Sequence, residues 1–164
     1  MMMWLLALLS AAGLGSGPTT SITSSTPHLT LQAIVEPDVV KPNSELTITY
    51  TVMPARGVRI YAAGSQYQPV AIELDPRPGV VARKVVFPPS EMYHFEPLDE
   101  RVPVYQKPFT LKQALRVGAA AVKGRKMLTI SGRLAYQACN DTVCFKPNEI
   151  RFAFDVEVKR SRPG

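Results

Sequence analysis

At 164 residues, 46% of them hydrophobic and 20% charged, the chain has the size and composition of one globular domain. Its formal net charge of +6 comes from Lys and Arg that cluster only in "ARK", "KGRK" and "KRSR", with no accompanying aromatic stripe, so a solvated basic surface is expected rather than nucleic-acid binding. Two histidines and two cysteines leave a catalytic triad and a multi-ligand metal site without signal, and no glycine-rich phosphate loop follows a strand, so neither cofactor nor metal is expected.

The chain opens with "MMMWLLALLSAAGLGSG", and the first 35 residues carry no Asp, Glu, Lys or Arg. The apolar run is too short to span a membrane, and Ser10-Ala11-Ala12 offers the small-residue pattern that a signal peptidase accepts. We expect a signal peptide cleaved between residues 12 and 26 and a Ser/Thr-rich linker, together residues 1–27, then one domain over 28–160 and a tail over 161–164. An uncleaved anchor is the alternative, because the usual positive n-region is missing. No further run has membrane length, so the mature chain is expected to be soluble, without an integral membrane segment, and periplasmic or secreted.

From Leu29 onward the hydrophobic period is two. Strands are expected over Leu29 to Val35, Leu46 to Val52, Val58 to Ala62, Val70 to Leu74, Val80 to Phe87 and Phe109 to Val117. "TLKQALRVGAAAVKGRK" has room for one helical turn, and "EMYHFEPLDERVP" is expected to be a surface loop. The alternation is cleanest in "MLTISGRLAYQ" and "IRFAFDVEVK", each with one apolar phase. Pro and Gly punctuate the strands at "PDVVKPN", "MPARG", "DPRPG" and "FPPS". The fold class expected is all-β, a single immunoglobulin-like β-sandwich domain.

Both cysteines fall in "LAYQACNDTVCFKP". Cys139 ends one strand, "NDTV" is a turn, and Cys144 begins the return, so the two face each other across a hairpin mouth at a separation a disulfide tolerates. Parity then imposes a constraint. If Cys139 opposes Cys144, Leu134 and Tyr136 cannot share a face with Ile150 and Phe152 unless the ladder slips by one residue within "FKPN", where Pro147 has no N–H to give. A ring of about six residues contributes roughly 2 kcal/mol in the chain-entropy model, against nearly 5 for a loop of about 100, so the pair is a poor staple. Spacing alone leaves a redox pair and a plain structural disulfide both open.

"YQACNDTVCFKP" followed by an alternating strand resembles the N-terminal periplasmic domain of the thiol:disulfide interchange protein DsbD, with its Tyr-Gln-x-Cys segment, short spacer, second Cys and aromatic-x-Pro. "GVRIYAAGSQYQPVAIEL" and "FPPSEMYHFEPLDERVPVYQKPFTL" are similar to that family's strand-turn-strand and cap segment, and the resemblance runs from about Leu29 to Lys159. It implies a sandwich that relays reducing equivalents by thiol-disulfide exchange, with thioredoxin-like extracytoplasmic proteins as electron donor and acceptor. It also implies that Cys144 forms the mixed disulfide and Cys139 resolves it, that Phe95 caps the pair, and that Tyr61, Tyr136 and Phe145 support the site.

This sequence departs from the family at "CFKP", which brings Lys146 in place of a proline, and the Asp141 charge opposes that of Lys146. Asn140-Asp141-Thr142 is also a formal glycosylation sequon. The membrane-spanning and thioredoxin-like domains that feed electrons to this domain in full-length members do not follow here, so another polypeptide is the expected source. The alternative reading is a non-catalytic sandwich, a binding or chaperone module in which Cys139-Cys144 is a local clamp.

Overall fold

A computed structural model describes residues 20–159, so the apolar leader and the tail lie outside the described residues. Within them the chain runs through β1 (Ser21–Ser25), β2 (Leu29–Glu36), β3 (Val39–Val40), β4 (Ser44–Pro54), β5 (Arg59–Tyr61), β6 (Ala71–Leu74) and β7 (Val80–Ala82). It continues through β8 (Glu91–Phe95), a 3-10 turn (Glu96–Leu98), β9 (Glu100–Tyr105), β10 (Phe109–Val117), α1 (Ala119–Val122), β11 (Met127–Tyr136), β12 (Ala138–Cys139) and β13 (Asn148–Val158). The single helical turn falls where the "GAAAV" stretch leads one to expect it.

Two sheets make the sandwich. One has the order β1-β2-β4-β10-β7 and the other β3-β13-β11-β6. The alternation in the sequence is the alternation of burial: in β2, Leu29, Leu31, Ala33 and Val35 are buried, and in β13 Ile150, Phe152, Phe154, Val156 and Val158 are. The two inner faces meet in one core, where the ring of Tyr50 on β4 lies 5.5 Å from that of Phe152 on β13. The long strands β2, β4, β10, β11 and β13 therefore hide one face in apolar contact and turn the other outward, which fixes their register.

Three segments differ from expectation. Ser21–Ser25, inside the stretch read as linker, is an edge strand paired along its whole length with β2, so the folded domain begins upstream of His28. Of the stretch Val80 to Phe87, only Val80–Ala82 is a strand; Val86 returns to make one isolated bridge to Lys112. The segment expected as a surface loop is a β-hairpin, β8 and β9, closed by the 3-10 turn.

That hairpin belongs to a third sheet, with the order β12-β5-β9-β8, set at one end of the sandwich. Its inward side chains, Ile60, Ala138 and Tyr105, join the main core. Its other face carries Tyr61, Val102, Val104 and Cys139, which form a second, smaller buried cluster with Tyr67 and Tyr93 packed against it.

Gly132 holds the sandwich's tightest approach. It pairs with Leu74 on one side and Phe152 on the other, and a Cβ there would stand 2.9 Å from the Leu74 Cα and closer still to the Glu73 carbonyl oxygen. Both neighbours are backbone and cannot swing away. Gly132→Ala is expected to destabilise the domain by about 1–3 kcal/mol, read as a lowered midpoint in thermal or denaturant unfolding; an unchanged midpoint would mean that β6 yields at little cost.

Candidate functional site

The route to the site is the slip in register between β11 and β13. Their ladder ends at Tyr136 opposite Asn148, and the next bridge is Cys139 opposite Cys144. Two residues, Gln137 and Ala138, thus face three, Phe145, Lys146 and Pro147, which is a bulge where Pro147 cannot serve the ladder. The bulge is closed by Phe145 N–H donating to the Ala138 carbonyl at 2.8 Å and by the Gln137 side-chain amide donating to the Phe145 carbonyl at 3.0 Å. Beyond it the chain leaves β13 and pairs with β5 instead, Cys139 opposite Arg59 and Ala138 opposite Ile60.

Cys139 and Cys144 form a disulfide with Cα atoms 4.1 Å apart. The turn between them is held by Asn140, whose side-chain oxygen accepts from the Thr142 and Val143 N–H groups at 2.9 and 2.8 Å and from the Thr142 hydroxyl at 3.0 Å. The two sulfurs have unequal surroundings. Cys139 is 5% exposed, while Cys144 is exposed.

Tyr61 stands over both. Its hydroxyl lies 2.6 Å from the Cys139 sulfur and 3.2 Å from that of Cys144. Neither sulfur of a disulfide carries a proton, so the phenol is the donor. Burial, then the neighbouring Tyr67 and Glu100, push the Tyr61 pKa up to about 12 against the opposing pull of Arg59, which keeps that proton in place at neutral pH. Its ring is stacked on Tyr67 at 4.5 Å, and Tyr67 donates to Glu100 at 2.8 Å. A hydrogen bond to that carboxylate, followed by burial, raises the Tyr67 pKa as well.

The β8–β9 hairpin, the segment similar to the family's cap, packs on the Cys139 side. Phe95 and Tyr93, both half-buried, line with Arg59, Tyr61, Val102, Val104 and Cys139 a cavity of about 10 Å³. That is about the volume of one water and far less than a small thiol such as glutathione needs. Arg59 links cap to turn: its Cζ lies 3.8 Å from the centroid of the Tyr93 ring, and its Nη1 donates to Asp141 at 2.8 Å.

Of the residues singled out in the sequence, Cys139, Cys144, Tyr61 and Phe95 are thus brought together. Tyr136 is not among them: it is fully buried in the main core, and its hydroxyl meets Thr26 at 2.8 Å. Phe145 turns the same way, its ring stacked on His28 at 4.2 Å, so it anchors the strand that leaves Cys144 rather than covering the sulfurs. Lys146 is exposed. Tyr93 lies in the segment similar to the family's cap, whereas Arg59, Tyr67, Glu100 and Gln137 were missed. A signal existed for Arg59, since an arginine inside the apolar run "VRIYA" must either break the pattern or be buried for a reason. Among the described residues no helix is long and apolar enough to cross a membrane.

The family "Thiol:disulfide interchange protein DsbD, N-terminal" matches residues 28–155. No curated protein matches the sequence. Among solved structures, the N-terminal periplasmic domain of ScsB from Proteus mirabilis aligns with a TM-score of 0.54 at 15% identity, covering 85% of this chain and 51% of that one. The chain therefore spans about half the length of that structure. The GAE domain of yeast GGA1 aligns at a TM-score of 0.45 and 12% identity, over 79% of this chain and 94% of the other. With the family match extending from β2 through most of β13, the chain belongs to the DsbD N-terminal family of thiol:disulfide interchange proteins, and its fold is that family's immunoglobulin-like sandwich.

Proposed function

We propose that this domain relays reducing equivalents outside the cytoplasm by dithiol-disulfide exchange through Cys139 and Cys144, with thioredoxin-like proteins as donor and acceptor and without cofactor or metal. The observation that supports this reading is the asymmetry of the disulfide: Cys144 is an exposed residue, whereas Cys139 is buried, with Tyr61 on its sulfur and Tyr93 and Phe95 lining the same small cavity. Exchange proceeds by attack of a thiolate on an accessible sulfur. A donor thiolate attacks Cys144, the new bond joins donor to Cys144, and the pair of electrons from the broken S–S bond departs on Cys139. The donor's second thiolate then releases reduced Cys144. Toward an acceptor the sequence reverses: the Cys144 thiolate opens the acceptor's disulfide, and Cys139 resolves the mixed disulfide.

The cap supplies discrimination in this reading. A partner that displaces Phe95 with contacts of its own gains access, and a small thiol without such contacts does not. A leader directing export to the periplasm or beyond completes the proposal, in line with the family's setting.

Two outcomes are expected. Cys139→Ser, which leaves the exposed thiol, is expected to retain a thioredoxin-like partner as a mixed disulfide resolved by mass spectrometry, and Cys144→Ser to retain little. Capture by neither would favour the structural-clamp reading, and equal capture by both would overturn the assignment of Cys144 as the attacking thiol. Phe95→Ala is expected to raise the rate at which glutathione reduces the disulfide several-fold while costing under about 1 kcal/mol of stability, since the side chain is only half-buried. An unchanged rate would remove the capping role, and a large stability loss would make Phe95 an anchor of the hairpin.

A further inference from the structure

Arg59 is the one charged residue buried among the described residues, its side chain 7% exposed. The charge has two partners, the Tyr93 ring 3.8 Å away and Asp141. Its ionic partner Asp141 is 79% exposed, where an ion pair contributes little, and an apolar side chain of similar volume in place of a buried ion is often neutral or stabilising. The guanidinium is also incompletely used: Nη1 is bonded to Asp141, but the buried Nη2 has no hydrogen-bond partner among the described residues. A buried donor left unpaired costs free energy, and such a group asks for an explanation in another state of the protein.

The register says which state. Arg59 is paired directly with Cys139, and directly opposed residues share a face with Cβ atoms roughly 4.5–5.5 Å apart. Both line the small cavity under the cap. We propose that Arg59 takes up the negative charge that appears on Cys139 when the disulfide opens, its free Nη2 turning from an unpaired donor into a charge-assisted partner of the thiolate. This inference rests on the exchange reading above and adds to it the residue that stabilises the leaving group.

Electrons balance without a further reagent. The attacking thiolate forms a bond to Cys144, the S–S bond breaks, and its electron pair stays on Cys139; no proton moves in that step. The groups facing Cys139 are few. Arg59 and Tyr61 come from β5, Tyr93 and Phe95 from β8, and Val102 and Val104 from β9. Asp141 is engaged by Arg59 from the turn, and Glu100 lies behind Tyr67. Among the described residues Arg59 is thus the one cation lining this cavity, and Tyr61, keeping its proton, is a second donor to the same sulfur. In the return half-reaction the same guanidinium keeps Cys139 deprotonated and ready to resolve the mixed disulfide.

The test is the titration of Cys139 as the single cysteine of a Cys144→Ser protein, followed by the carbon-13 shift of its Cβ, which needs no access to the sulfur. Replacing Arg59 by Met in that protein is expected to raise the thiol midpoint by about one pH unit or more, a tenfold loss of thiolate at a given pH below the midpoint. Arg59→Lys is expected to restore most of the shift by returning the charge. Should the Met variant fail to fold, Arg59→Gln, which keeps an N–H group for Asp141, is expected to show the same rise. A midpoint unmoved by loss of the charge overturns the inference. A native disulfide that no thioredoxin-like dithiol reduces would instead sink the exchange reading, and the single-cysteine titration would still report on Arg59.

Discussion

The parity of a β-ladder governs this molecule's site. Side chains of β11 and β13 must point their apolar phase into the core, and the same two strands must bring Cys139 opposite Cys144, and one uninterrupted ladder cannot do both. The extra residue within Phe145-Lys146-Pro147 reconciles them. Because of it the chain changes neighbours after Tyr136, leaves the sandwich sheet and joins β5, so that Ala138 still faces the core while Cys139 faces the cap. Gln137 then has a definite task, since its amide bonds the carbonyl that the bulge takes out of the ladder. Without the slip, the cysteines would share a face with the core or the core strands would be turned outward.

This separation leaves the disulfide outside the core of the sandwich. The main core comprises both large sheets and excludes Cys139, and the ring the bond closes is short. Redox change at the tip therefore need not be felt in the packing of Tyr50, Phe152 and Phe154. What the tip does affect is the third sheet, whose outer face gathers a phenol, a guanidinium and two cap aromatics around one sulfur. Tyr61 is held by stacking on Tyr67, and Tyr67 by Glu100 on β9, so the cap hairpin and the phenol that touches the sulfurs are braced by the same residues.

Much of this was legible in the sequence because burial follows a period of two. The long strands, the sandwich, the hairpin between the cysteines and even the slip near Pro147 follow from which residues must share a face. Where that signal thins, the sequence reading failed. Ser21–Ser25 has one apolar residue, Ile22, and becomes a strand because the edge of β2 offers it hydrogen-bond partners. The cap segment is polar and proline-bearing, yet pairs as β8 and β9 because Val102 and Val104 on β9 are buried against Tyr61 and Cys139. The family resemblance implied a place for Tyr136 at the site, but three positions along a strand reverse the face, and it belongs to the core. Arg59 became intelligible only when the register placed it opposite Cys139.

The central claim is that the Cys139-Cys144 bond is an exchangeable one. It is tested most directly by its reduction potential, measured by equilibrating the domain in defined thiol-disulfide buffers and quantifying the reduced and oxidised forms after acid trapping. An exchangeable bond is expected to have a potential less negative than about −300 mV, in the range where thioredoxin-like dithiols can exchange with it. A value well below that would mark a resistant structural bond and contradict the account.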